Sequence, residues 1–166
     1  MSDIEMPARY TAVLANIQMR EVSYGTGGLK LFDQVELPNG QVGYSIGRDG
    51  VSLCTTETGA WQPRWIVIGY DTGMGDPLIL DIADPTLPVY TSMPGGPWEI
   101  QPIAISLEAF ARCFHEFSEI AQGRSNPVER GENPLSDADR ETYRSRIAKI
   151  NDKGIDPDFW DALLEY

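Results

Sequence analysis

Histidine, cysteine and positive charge are all scarce in this 166-residue chain. His115 is the only histidine, so a two- or three-histidine metal site within one chain is excluded. His115-Glu116 begins like a zinc-protease helix, but Glu119 stands where the second histidine must come. A Ser-His-Asp or Cys-His catalytic arrangement would have to rest on His115 alone. Cys54 and Cys113 are too few for a disulfide framework and read as two reduced, buried thiols. Lys and Arg number 13 against 25 Asp and Glu, a net charge of −12. Such a surface repels nucleic acid and anionic membranes, because phosphate neutralisation needs clustered bases. No apolar run reaches the length of a membrane span. The acidic start, Met1 to Glu5, lacks the basic and apolar regions of a signal peptide, so the expected compartment is the cytoplasm. Gly25-Thr26-Gly27-Gly28 has no Gly-Lys-Ser/Thr after it and is no phosphate loop. The acidic turn from Asp71 to Asp81 lacks the alternating ligands and terminal Glu of a calcium loop. No metal and no cofactor are expected.

What remains is ample for a folded core. Apolar residues make up 42% of the chain, and the length suits one domain with an extension. Tyr10, Val13, Leu14 and Ile17 follow helical spacing and predict a helix over Pro7–Glu21. Leu29–Phe32 reads as a short strand. The middle of the chain reads as β territory: Pro38-Asn39-Gly40 and Arg48-Asp49-Gly50 are turn signals, each followed by a short run containing Val. Trp65–Ile68 reads as a buried central strand, and Leu78–Ile82 as its neighbour across the Gly69–Pro77 turn. Leu87–Tyr90 follows as an edge strand, marked by Pro88, and Glu99–Ile103 pairs as a fourth. Ser106 is a plausible N-cap, and Leu107, Phe110, Phe114 and Phe117 then recur at helical spacing. Gly123–Leu135 reads as a breaker-rich linker. Ser136-Asp137-Ala138-Asp139 starts a charged helix to about Ile150. Trp160, Leu163 and Leu164 share a face that docks back on the core. Strands clustered between helices indicate α+β: a central, largely antiparallel sheet with helices at one face and a helical C-terminal extension.

Gln41–Ser45, Pro63–Gly69, Gly75–Asp81, Pro88-Val89-Tyr90 and Ile105–Phe110, in that order and spacing, resemble the SUKH superfamily. This group includes the Smi/Knr-type regulators and many bacterial immunity proteins of polymorphic toxin systems. The resemblance spans roughly residues 29–117. It implies a SUKH-like domain over residues 1–121, with 122–166 as linker and helical extension. It also implies a non-enzymatic protein-binding role: an immunity protein that neutralises a toxin, or a regulatory adaptor with no toxin partner. The same residues have structural roles. Trp65 anchors the core, Gly75-Asp76 makes the tight turn with glycine at positive φ, and Asp81 caps a loop.

The residues with chemistry to offer are few. Asp71-Thr72-Gly73 matches the aspartic-protease triplet, which would need a second chain for its dyad. Its flanks, Met74 to Pro77, fit a solvated turn better, and a hydrolase using Asp71 is the outlying alternative. Trp61, Tyr90 and Trp98 lie near loops and either form a binding surface or cover the sheet. Residues 1–121 carry 15 Asp or Glu against 6 Lys or Arg. That excess suits a basic protein partner, such as the nuclease domain of a toxin, whose approach charge would accelerate. The candidate partner-binding residues are Asp71, Asp76 and Asp84 in loops, Tyr90 and Trp98 among the aromatics, and Glu116 and Glu119 on the aromatic helix.

Overall fold

The computed structural model describes residues 4–166. Its centre is a six-stranded antiparallel meander in sequence order. The strands are β1 (Glu21–Tyr24), β2 (Gly27–Leu31), β3 (Trp65–Asp71), β4 (Pro77–Asp81), β5 (Val89–Thr91) and β6 (Gln101–Ala104). The helices are α1 (Ala8–Ala15), α2 (Leu107–Ala121), α3 (Pro127–Glu132), α4 (Asp137–Ile150) and α5 (Asp158–Ala162). The fold is α+β, as the element pattern predicts. Among the described residues no helix is long and apolar enough to cross a membrane.

Two-residue alternation along β3 and β4 divides the core between the two faces of the sheet. Ile66, Ile68, Leu78 and Leu80 face the helices, where Phe110, Phe114 and Phe117 of α2 meet them. Trp65, Val67 and Ile79 face the other way, into a second, aromatic cluster. Burial on both faces explains why β3 and β4 read as continuous apolar runs. Ser106 caps α2, its Oγ accepting from the Ala109 amide at 3.1 Å. The segment after residue 121 belongs to the helix-side core through Tyr143, Ile147, Ile150, Trp160, Leu163 and Leu164. Trp160 Nε1 donates to the Ile103 carbonyl at 2.8 Å and ties α5 to β6.

Several elements differ from the sequence expectation. The first helix ends at Ala15, not Glu21, because Glu21–Tyr24 pairs with β2 as a hairpin. Val22 and Tyr24 are buried while Glu21 and Ser23 are exposed, a strand alternation that the preceding helical spacing hides. Residues 32–64 contain no named strand, only two isolated bridges and a 3₁₀ turn at Asn39–Gln41. β5 is internal, flanked by β4 and β6, because Pro88 lies just outside the strand and withholds no ladder donor. The expected linker contains α3: Pro127 sits in the first turn, where proline favours helix, and Asn126 Oδ1 accepts from the Val128 and Glu129 amides. Cys113 is buried, but Cys54 is only half-buried.

A buried side chain, Gln41, ties the 32–64 segment to the sheet edge. β2 reaches only the second half of β3, which leaves Val67 without a strand partner on that side. Gln41 fills the gap: its Nε2 donates to the Val67 carbonyl at 2.7 Å and its Oε1 accepts from the Val67 amide at 2.9 Å. Where β2 does meet β3, the backbones approach closely at Gly69. A Cβ there would lie 2.1 Å from the Lys30 carbonyl oxygen, so only glycine fits.

Candidate partner-binding face

The face of the sheet away from the helices is covered by the 32–64 segment. Trp61 is 1% exposed and lies edge-on to Trp65, with ring centroids 5.6 Å apart. Its Nε1 donates to the Trp65 carbonyl at 3.0 Å. Trp98 meets Trp61 edge-on at 5.1 Å, and Tyr44 packs on both, at 5.2 Å from Trp61 and 5.5 Å from Trp98. The Trp98 amide donates to the Gly59 carbonyl at 2.8 Å, joining the loop after β5 to the covering segment. Trp61 therefore covers the sheet, while Tyr44, Tyr90 and Trp98 remain half-exposed at the rim.

Apolar side chains outside this cluster reach solvent. Val42, Val51 and Leu53 are exposed on the covering segment. Met74, 70% exposed, tips the β3–β4 hairpin, and Met93, 75% exposed, lies in the β5–β6 loop. Exposed apolar groups on a surface that also carries half-buried aromatics are a common mark of an interaction site. A structureless connection of this length inside a compact fold is also commonly functional.

Acids stand at both ends of the strands that build this face. The register pairs Trp65 with Asp81 at one end and Tyr70 with Pro77 at the other. Asp76 is at the second end. Burial, then the charge of Asp71, raises its carboxyl above the ordinary range. Burial, then the Asp76 charge, likewise raises the Tyr44 phenol. Tyr90 is raised by burial and then by Asp81 and Asp84, with Arg64 opposing. Asp81 caps its turn as expected, accepting from the Ala83 amide at 3.0 Å, and pairs with Arg64 at 3.2 Å.

The seven candidate residues do not form one patch. Asp71 is 4% exposed and is no solvated turn residue. Its Oδ1 accepts from the Gly73 amide at 2.7 Å and the Met74 amide at 3.2 Å, and its Oδ2 accepts from the Tyr166 hydroxyl. Both oxygens are thus occupied in holding the hairpin and the final segment. Gly75 supplies the expected positive φ, at 83°. Asp84 is exposed at the opposite end of the sheet from Asp76. Its Oδ1 accepts from the Thr86 hydroxyl and amide, which lowers its carboxyl. Asp76, Asp84, Tyr90 and Trp98 therefore border the aromatic face.

Glu116 and Glu119 lie on the helical side instead. They line a groove of about 940 Å³ between α1, α2 and α4, with Val13, Ile17, Met19 and Phe114 also lining it. Glu116 accepts from Arg146 at 3.1 Å. Arg112, Arg146 and Lys149 offset Glu108, Glu116 and Glu119, so this groove carries no net acid excess. His115 is exposed on the same helix surface. Sequence reasoning missed Gln41, Tyr44 and Tyr166. Gln41 and Tyr44 lie inside the Gln41–Ser45 run, but nothing local to it signals their contacts with Val67, Trp61 and Trp98.

No family model, curated protein or solved structure matches this chain.

Proposed function

We propose that this chain is a cytoplasmic, non-enzymatic protein-binding module of the SUKH type, acting as an immunity protein that holds a basic toxin domain, such as a nuclease, against its aromatic face. The observation that carries this reading is the long segment over the sheet. It exposes Val42, Val51 and Leu53 and carries the half-buried Tyr44, which packs on Trp98, over a sheet with Asp76 at one end and Asp84 at the other. Rigid aromatics with an apolar surround supply contact energy, and the acid excess supplies attraction for a basic cleft. Occupied carboxylate oxygens at Asp71 favour a structural role for the protease-like triplet.

The test is hydrogen exchange on the chain bound to its partner, captured from the native host and identified. The reading expects a net-basic partner and slowed exchange in residues 42–54 and 90–100. An acidic partner, or protection confined to the α1–α2–α4 groove, contradicts it.

A further inference from the structure

A second cavity lies where α1 meets the start of the segment that covers the sheet. It is a cleft of about 570 Å³ between α1 and the turn after β2. Small-ligand pockets commonly fall in this size range. Met6, Tyr10, Leu14, Phe32 and Leu37 give it an apolar lining. Arg20 is its only basic wall residue.

The Arg20 guanidinium is not offset from within the described residues. No Asp or Glu lies within ion-pair distance of it, and its Nη1 is buried without a hydrogen-bond partner. The other half-buried arginines all have hydrogen-bond partners: Asp161 holds Arg140 and Arg144, and backbone carbonyls hold Arg124 and Arg130. Asp33, among the described residues the one acid lining the cleft, spends its Oδ1 on the Val35 and Glu36 amides, each at 2.8 Å. A partly buried cation with no acid beside it is costly, and an anion entering the cleft would offset that cost. Tyr10, buried in the same wall, brings a phenol close enough for the Arg20 charge to act on it.

We propose that this cleft binds a small monocarboxylate with an apolar body, its carboxylate on Arg20 and its hydrocarbon against Leu14, Phe32 and Leu37. One guanidinium matches one carboxylate in charge and fork geometry. A phosphate dianion would bring a second charge for which the cleft has no second base. This site shares Phe32 with the aromatic cluster but uses none of the candidate partner-binding residues.

Sodium octanoate and octan-1-ol serve as matched probes, differing at the head group alone. Each is titrated into the labelled chain at millimolar concentration and followed by amide chemical shifts. Octanoate is expected to shift Tyr10, Leu14, Phe32 and Leu37 and to bind at least ~10-fold more tightly than octanol, the effect of one charge-assisted contact. Arg20→Gln should remove that preference while keeping octanol binding, which also reports that the variant is folded. Should Arg20→Gln fail to fold, the octanoate-to-octanol ratio on the wild type decides alone. Absence of octanoate shifts in the cleft, equal binding of the two probes by the wild type, or an unchanged preference in folded Arg20→Gln would overturn the proposal.

Discussion

The Tyr166 hydroxyl donates to the Asp71 carboxylate, joining residues 95 positions apart. The Tyr166 ring lies against Gly27 and Gly73, where any Cβ would stand within 2.4 Å of ring atoms. Arg130 secures the same segment, donating to the Leu164 carbonyl at 3.1 Å while lying 5.3 Å above the Tyr24 ring. Asp71 is thus the anchor for two structures at once, the β3–β4 hairpin and the final turn.

Tyr166→Phe should destabilise by about 1–2 kcal/mol in denaturant melts, the cost of one hydrogen bond to a charged group. Burial, then the Asp71 contact, raises the Tyr166 phenol above its ordinary value. Its contribution is therefore complete below about pH 10 and is lost as pH rises beyond it. Tyr166→Phe should flatten that alkaline loss. An unchanged alkaline limb would remove Tyr166 as its source.

Gln41→Ala should cost about 2–4 kcal/mol, because it strands both the amide and the carbonyl of Val67. Exchange at the Val67 amide should quicken more than at Leu80, which pairs with Ile66 and Val89. A loss under about 0.5 kcal/mol would mean that the covering segment is held by other contacts.

Trp65→Ala should cost about 3–5 kcal/mol, as large aromatic truncations in a core do. Trp65→Phe should cost much less. It keeps a ring against Trp61 and removes an indole N–H that has no hydrogen-bond partner. Equal losses for the two variants, in parallel denaturant melts, would place the weight of the site on the indole nitrogen rather than on ring packing.

Asp161 is gripped by Arg140 at 2.8 Å and by Arg144 at 2.7 Å. The Arg140 hydrogen bond leads in holding its carboxyl below the ordinary value. A depressed folded value means that this stability is present above the ordinary carboxylate range and is lost as pH falls through it. Asp161→Asn should cost about 1–2 kcal/mol at neutral pH and reduce the slope of acid unfolding. An acid limb identical to the wild type would contradict the assignment.

Much of this architecture is legible in the sequence because burial leaves local traces. β3 and β4 read as apolar runs, Ser106 and Ser136 announce α2 and α4, and Trp160 with Leu163 and Leu164 marks a docking face. β1 was hidden because Val22 and Tyr24 follow directly on a helical spacing, and only pairing with β2 selects the strand. The covering segment misled for the opposite reason. Its turn signals are real, but Gln41 replaces a strand edge with one side chain, and no periodicity encodes that. The candidate acids are legible as residue types, yet their grouping depends on topology. Antiparallel order sends Asp76 and Asp84 to opposite ends of the sheet, and α2 carries Glu116 and Glu119 to the other face.

If charge draws a basic protein partner to the aromatic face, stopped-flow association with that partner will show it. Screening acts on the long-range approach, so raising salt from low to near-molar should slow association far more than it speeds dissociation. Asp76→Lys and Asp84→Lys should each slow association at low salt, while Glu119→Lys, in the charge-balanced groove, should leave it nearly unchanged. An association rate indifferent to salt and to both loop substitutions, or one slowed by Glu119→Lys alone, would contradict the account.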